Sequence, residues 1–115
     1  MSRPKKYKNV CKMPNIQYFK GNKDNDLNPI MLNIEEYEVI RLIDKEDLTQ
    51  EECSIQMNVS RPTIQLLYAN ARKKIATFLT TGAPLKIEGG SYKLCNRRNT
   101  HCNHRNCKYR GECNK

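Results

Sequence analysis

The chain has 115 residues, of which only 37% are hydrophobic and none is tryptophan, so it can build only one small core. Its formal net charge of +9 favours an anionic partner, with nucleic acid ahead of an anionic membrane surface. No stretch approaches the roughly 20 apolar residues of a membrane span, and the sequence opens without the apolar run of a secretory signal, so we expect a cytoplasmic protein with no membrane contact.

Residues 1–23 are predicted to form a basic arm of charge +7 that contains one short strand. The stretch `NIQYF`, Asn15 to Phe19, supplies the strand. Lys5 and Lys6 in `RPKKYK` would contact the backbone or minor groove of a duplex, as flexible basic arms do. A plain solubilising tail is the alternative interpretation of this arm.

Residues 24–90 are predicted to form the folded domain, and its first helix begins near Ile34. Asn33 can cap this helix, and Glu36 stands three residues later in the register of a capping box. The apolar residues that follow at helical spacing predict a stripe that packs into the core. That stripe comprises Ile34, Tyr37, Ile40 and Ile43.

The stretch `TQEECSIQMNVSRPTIQLLYANARKK` predicts two helices, Gln50–Met57 and Arg61–Phe78, with a tight turn between them. In a helix-turn-helix that starts at Gln50, five positions must be buried, and a sixth, Ser54 here, must be small. All five positions hold apolar residues: Cys53, Met57, Val59, Ile64 and Leu67.

The residues of the predicted turn also fit a helix-turn-helix. Asn58 tolerates the left-handed backbone conformation that the turn requires. Ser60 can cap the second helix, and Pro62 fits into its first turn without losing a helical hydrogen bond. An αα-hairpin that only packs is the alternative, but residues 60–82 carry four basic and no acidic residues, which such a hairpin leaves unexplained.

A recognition helix presents its N-terminal residues to base edges in the major groove. Arg61 could pair with guanine and Gln65 with adenine, while Thr63 or Leu66 could touch a thymine methyl group. A second set of side chains suits the phosphate backbone. The first set is Arg61, Pro62, Thr63, Gln65 and Leu66, and the second is Ser60, Tyr68, Arg72 and Lys73. The acidic block, residues 24–59 with charge −8, is expected to face away from the duplex or towards a partner protein.

After this helix, Gly82 is predicted as its end and Pro84 as a stop. Leu85 and Ile87 alternate with polar residues and predict a short strand, for which `NIQYF` is the expected partner.

Residues 91–115 form a basic tail rich in cysteine and histidine. Four soft ligands in a segment without a core favour a tetrahedral zinc site, although the paired spacing of ordinary zinc modules is absent. An iron–sulfur cluster is the second metal interpretation, and a basic tail with free thiols is the third. The candidate ligands are Cys95, Cys102, Cys107 and Cys113, with His101 and His104 between them. Cys11 would be an extra ligand or a buried thiol, and Cys53 a core residue.

Four ordered blocks resemble one small prokaryotic family, domain of unknown function 134 (UPF 0251), over about residues 2–92. The blocks are `SRPKKYKNVCKMPNIQYFK`, `EEYEVIRLIDKEDLTQEE`, `MNVSRPTIQLLYANARKKIA` and `LKIEGGSY`. The resemblance implies a cytoplasmic, predicted DNA-binding protein with a three- or four-helix domain similar to region 4 of bacterial sigma factors. Cys53 and Asn58 depart from the alanine and glycine that are commoner in the family.

The sequence therefore predicts a mainly α protein, with a helix-turn-helix, a small two-stranded β element and the cysteine-rich tail. We expect a sequence-specific transcriptional regulator that binds double-stranded DNA, and dimerisation and a contact with RNA polymerase are further partner predictions. The alternatives are a protein-interaction module that docks on the transcription machinery, an RNA-binding protein, or a metal- or redox-sensing regulator. No phosphate-binding loop or carboxylate pair accompanies the cysteines and histidines, so we do not expect an enzyme.

Overall fold

In the computed structural model, residues 7–11, 13–21 and 28–94 are described, and they form three helices and five short strands. The first helix, α1 (Ile34–Ile40), continues without a break into a π-helical segment, Arg41–Lys45. The elements in chain order are β1 (Lys8–Val10), β2 (Tyr18–Phe19), β3 (Ile30–Leu32), α1 (Ile34–Ile40), α2 (Gln50–Met57), α3 (Arg61–Thr81), β4 (Leu85–Ile87) and β5 (Tyr92–Leu94).

α1 begins where the capping box predicts it. The Glu36 amide donates to the Asn33 side chain at 2.7 Å, and the Asn33 amide donates to the Glu36 carboxylate at 3.0 Å. The predicted apolar stripe is only partly correct, because Val39 and Leu42 are fully buried whereas Tyr37, Ile40 and Ile43 are half-buried. The half-buried residues still contact the interior, since Tyr37 and Ile40 pack against one apolar cluster and Ile43 against the other.

The β structure is larger than the predicted two-stranded element. β2 pairs antiparallel with β4, as expected from `NIQYF`, but β3 also pairs with β4, in parallel. β1 and β5 form a second, parallel pair in which Val10 lies opposite Leu94. The prediction missed β1, β3 and β5, each of which has only three residues and is defined by its pairing with a distant part of the chain.

Two apolar clusters form the interior. The sheet cluster packs β-strand residues against one side of α1 and α3, and its buried members are Val10, Leu32, Ile34, Ala71, Leu85 and Ile87. The helix-turn-helix cluster fills the angle between α1, α2 and the first half of α3, and its buried members are Val39, Leu42, Leu48, Cys53, Met57 and Ile64. α1 and α3 contribute to both clusters and so join them.

α3 has 21 residues and ends three residues later than predicted. Gly82 ends it with a left-handed conformation, φ 75°, and its amide donates to the Phe78 carbonyl at 3.1 Å. Among the helices within residues 28–94, none combines the length and the apolar character needed to cross a bilayer.

Candidate nucleic-acid interface

The turn between α2 and α3 has the predicted geometry. Asn58 adopts the left-handed conformation, with φ 59° and ψ 49°, and its amide donates to the carbonyls of Ser54 and Ile55. The Val59 amide also donates to the Ser54 carbonyl, at 3.0 Å. These bonds close the end of α2 and turn the chain sharply, so α3 starts in a new direction.

The first turn of α3 is held by Ser60. The Thr63 amide donates to the Ser60 hydroxyl at 3.3 Å, and the two hydroxyls lie 2.9 Å apart. Pro62 occupies the first turn, where its missing N–H has no helical partner to lose. Ser60 therefore caps α3, in addition to its predicted contact with phosphate.

The packing positions of the helix-turn-helix are confirmed. Cys53, Met57 and Ile64 have no exposed surface, and Val59 and Leu67 are half-buried against the same cluster. The small residue is also in place, because Ser54 is buried and its hydroxyl donates to the Glu51 carbonyl at 2.7 Å. Burial raises the pKa of the Cys53 thiol to about 12, with a further rise from the charge of Glu38, so Cys53 stays protonated as a core residue.

The residues predicted to contact bases do not share the buried side of α3 that Ile64 occupies. Arg61, Pro62, Gln65 and Leu66 are exposed, and Thr63 is half-buried. Leu66 is 63% exposed, so α3 presents an apolar side chain to solvent here. The first turn and a half of α3 thus offers a cationic, an amide and an apolar side chain to solvent.

Two of the predicted phosphate contacts belong to a small hydrogen-bonded group. The Tyr68 hydroxyl donates to the Asp44 carboxylate at 2.7 Å, and the Arg72 guanidinium donates to the Tyr68 oxygen at 3.1 Å. The guanidinium carbon also lies 5.2 Å from the centre of the Tyr68 ring, within range of a cation–π contact. The hydrogen bond to Asp44 raises the pKa of Tyr68, and Arg72 opposes this rise.

Part of the acidic block, which was predicted to face away from the duplex or towards a partner protein, contacts α3. Besides the contact between Asp44 and Tyr68, the Lys74 amine lies 2.7 Å from the Glu36 carboxylate. Two carboxylates of the block therefore pair with side chains of α3, and its orientation towards a duplex or a partner protein stays a prediction. Lys73, the remaining predicted phosphate contact, is exposed.

Lys73 and Lys74 also border an open cavity of about 250 Å³ on the side of α3 that faces β3. The other residues around it are Ile30, Asn70 and Thr77. Of the two lysines beside this cavity, Lys74 is paired with Glu36.

The burial of three carboxylates of α1, those of Glu35, Glu36 and Glu38, was not predicted. The Glu38 carboxylate accepts two bonds of 2.9 Å from the Arg41 guanidinium and a third, also 2.9 Å, from the Cys11 amide. The Glu35 carboxylate accepts from the Ser91 amide and lies 2.7 Å from the Lys8 amine. The `EEYE` sequence offered no signal for this, because glutamate in a helix is normally a solvated residue.

Arg41 and Tyr37 show the electrostatic effect of this burial. Burial lowers the pKa of Arg41, but the hydrogen bond and charge of Glu38 outweigh it, and the net pKa lies above the ordinary value. Burial is also the main reason that the pKa of Tyr37 is raised. The Arg41 guanidinium therefore stays charged over the whole range of ordinary pH.

The predicted metal ligands Cys95, Cys102, Cys107, Cys113, His101 and His104 lie outside the described residues, as do Lys5 and Lys6 of the arm. Within residues 7–11, 13–21 and 28–94, no group of three or more histidine, cysteine or acidic side chains could hold a metal ion. Cys11 and Cys53 are both buried and form no disulfide. The Cys53 thiol points to the Met57 sulfur at 3.7 Å, in keeping with its predicted core position.

Sequence comparisons agree with the resemblance inferred from the four blocks. A family model described as "Protein of unknown function DUF134" matches residues 1–95. A UPF0251 protein of Desulfitobacterium hafniense (strain Y51) is 49% identical over 98 residues, which cover 83% of this chain and 78% of that protein. UPF0251 proteins of Halothermothrix orenii and Caldanaerobacter subterraneus are 51% and 46% identical over 96 residues, covering 82% of this chain and 71% and 81% of theirs. No solved structure matches the chain.

Proposed function

The chain belongs to the DUF134 (UPF0251) family of proteins of unknown function. For this member of the family we propose that it is a sequence-specific DNA-binding protein. In this proposal α3 enters the major groove from Arg61 onwards, and the protein regulates transcription in the cytoplasm. The observation that carries the proposal is the division of α3 into two sides. Ile64 is fully buried in the helix-turn-helix cluster, while Arg61, Gln65 and Leu66 are exposed beside it.

The exposed first helical turn of α3 supports this proposal over an αα-hairpin that only packs. A packing hairpin needs the buried side of α3 but has no need of an exposed first turn free of acidic residues. The N-terminus of a helix also carries a partial positive charge, which favours approach to phosphates. Arg61 stands in this first turn, so its charge adds to that of the helix end.

Base contacts and phosphate contacts make different contributions to binding. Each bidentate contact, such as one between Arg61 and guanine, is worth about 1–3 kcal/mol of discrimination against the wrong base. Contacts from Lys73 and Arg72 to phosphate would give affinity without sequence preference, and that affinity falls steeply with salt.

Selection of bound sites from a random DNA pool tests the proposal. We expect enrichment of a short motif, with wild-type affinity that falls sharply between about 50 and 200 mM salt. Failure of the full-length chain to bind any duplex at the lower salt concentration would remove the proposal. In that case binding to isolated RNA polymerase would be the outcome that supports the protein-interaction alternative, and preference for duplex RNA would support RNA binding.

A matched pair of variants then assigns the contact surface. Arg61→Ala should weaken binding to the selected motif about 10-fold or more, and binding to random DNA much less. Lys86→Ala removes the same charge from β4, where Lys86 pairs with Glu88 at 3.3 Å, and should leave both affinities nearly unchanged. Equal losses on both DNAs for Arg61→Ala would mean that Arg61 contacts phosphate only.

We further propose that the tail binds a metal ion, with zinc ahead of an iron–sulfur cluster. Its support is the density of soft ligands: four cysteines and two histidines within residues 95–115. Elemental analysis of the full-length chain should give about one zinc per chain, and replacing both Cys102 and Cys107 by Ser should abolish it. Iron with acid-labile sulfide would favour the cluster, and no metal in either protein would end the proposal.

A further inference from the structure

The charged group on the flank of α3 includes a residue that no DNA-binding pattern in the sequence indicated. Asp44 belongs to the π-helical segment, 24 residues before Tyr68, and reaches α3 through the Tyr68 hydroxyl. An exposed carboxylate on a surface proposed to meet phosphates needs a physical reason, because its own charge opposes binding there.

The direction of each hydrogen bond supplies that reason. The Tyr68 hydroxyl has one hydrogen, which it donates to Asp44, so its oxygen lone pairs are free to accept from Arg72. Asp44 thereby fixes the orientation of the hydroxyl, and the hydroxyl fixes one end of the guanidinium. The Tyr68 ring supports the same guanidinium from below, at 5.2 Å.

Arg72 keeps binding capacity in this arrangement. A guanidinium has five N–H donors, and the contact with Tyr68 occupies one of them. The remaining donors form the planar fork that matches a phosphate group. Arg72 is exposed on the same helix as Arg61 and Gln65, about three and two turns further along.

The backbone under Asp44 is also fixed. The Leu48 amide donates to the Leu42 carbonyl and the Glu46 amide to the Arg41 carbonyl, both at 2.9 Å. Each of these backbone hydrogen bonds joins a residue before Asp44 to one after it. Leu42 is fully buried two residues earlier and anchors the segment to the core. The carboxylate is therefore presented from a rigid element.

We propose that Asp44 and Tyr68 are positioning residues that hold the Arg72 guanidinium ready for one phosphate of the DNA backbone. This inference rests on the proposed function, because it names a phosphate contact of the same interface. The ordering that normally accompanies binding of a long side chain is already present in the free protein, and pre-ordering one such side chain is worth about two- to tenfold in affinity. The opposing effect of the Asp44 charge is small at physiological salt, where the screening length is about 8 Å and Arg72 offsets much of the charge.

A double-mutant cycle on the selected DNA motif tests this inference. Arg72→Ala should lower affinity and reduce the slope of log affinity against log salt by about 0.9, the value for one phosphate. Tyr68→Phe keeps the ring and all charges but loses the hydroxyl, and should weaken binding about two- to tenfold. In the Arg72→Ala background the same Tyr68→Phe change should have no further effect, because there is no guanidinium left to position.

A charge-matched pair separates positioning from repulsion. Asp44→Ala should weaken binding by about as much as Tyr68→Phe. Asp47→Asn removes one negative charge from the adjacent loop, at a left-handed position that asparagine tolerates, and should leave affinity unchanged or slightly higher.

The outcomes are distinguishable. Equal gains in affinity for Asp44→Ala and Asp47→Asn would overturn the inference, since Asp44 would then act only by its charge. Equal losses from Tyr68→Phe with and without Arg72 would overturn it as well, since Tyr68 would then act independently of Arg72. Both results leave wild-type DNA binding intact, whereas a wild-type chain that binds no duplex overturns the proposed function and this inference together.

Discussion

The helix-turn-helix cluster and the sheet cluster are similar in number of buried residues but are assembled in different ways. All the buried residues of the first come from positions 39–64, so one short stretch of sequence contains the whole unit. The second joins Val10 to Ile87, which are far apart in the sequence, with contributions from α1 and α3 between them. Local contacts leave a pattern in the sequence, and long-range contacts do not.

The two regions also differ in how polar groups are used. In the helix-turn-helix, polar side chains act on their own helix ends, as Thr49 and Ser60 do through hydrogen bonds to residues three positions later. Around the sheet cluster, buried carboxylates of α1 connect distant parts of the chain, including the Cys11 and Ser91 amides. Buried charged groups therefore stabilise the region around the sheet cluster, and helix caps stabilise the helix-turn-helix.

The largest effect is expected from Glu38→Gln, which tests this use of buried charge. The substitution leaves the Arg41 guanidinium, whose side chain is only 15% exposed, without its bidentate partner. Removing one member of a buried ion pair is destabilising by about 3–5 kcal/mol, measured here by urea denaturation. Hydrogen exchange should also show earlier opening next to β1, since the single oxygen of the glutamine amide must replace two carboxylate oxygens that accept from Arg41 and the Cys11 amide.

Glu51→Gln is the control for that prediction, because Glu51 is exposed in the first turn of α2. Its effect on the free energy of unfolding should stay within about 0.5 kcal/mol. A loss of similar size from both substitutions would show that general charge balance, and not the buried position, determines the effect.

The second prediction concerns the apolar interior of the helix-turn-helix. Ile64 is fully buried, and Ile64→Ala should lower the free energy of unfolding by about 2–5 kcal/mol through lost burial and a residual cavity. Leu66→Ala removes a similar volume from a side chain that is 63% exposed, and should change stability by no more than about 0.5 kcal/mol. If both variants lose stability equally, the assignment of the buried side of α3 is wrong.

The difference between the regions explains how much could be predicted from the sequence. The bounds of α2, the Ser60 cap, the left-handed Asn58 and the buried Cys53, Met57 and Ile64 were all predicted correctly. Each depends on residues within about one helix length of each other, where spacing fixes which residues meet. The same is true of the Asn33 capping box.

What the sequence could not give depends on distant partners. The Glu36 carboxylate is buried because Lys74, 38 residues later, lies beside it, and Glu35 because Ser91 lies 56 residues away. Without those partners the same glutamates would be solvated, so helical spacing alone predicts the wrong environment. The position of Asp44 against Tyr68 was missed for the same reason.

A third, smaller effect is expected at Asn58, where the two helices of the local region meet. Asn58→Ala places a side chain without a polar group at φ 59°, and should lower the free energy of unfolding by about 1–2 kcal/mol. Asn58→Gly removes the steric restriction altogether and should be neutral or slightly stabilising. Thermal denaturation of the pair separates backbone conformation from side-chain contacts, since a loss in both variants would assign the role to the asparagine amide.

The smallest effect is expected from the solvent-exposed hydrogen bond that the Tyr68 hydroxyl on α3 donates to Asp44. Donation to Asp44 raises the pKa of Tyr68 above its ordinary value of 10.0. Because the folded pKa is the higher one, this contribution to stability is fully present below about pH 10 and is lost as the pH rises through the folded value. The difference in unfolding free energy between wild type and Tyr68→Phe should therefore be constant from neutral pH to about pH 9 and shrink in more alkaline solution. A difference that grows with pH would mean that the hydroxyl meets Arg72 as a phenolate and that Asp44 is not its acceptor.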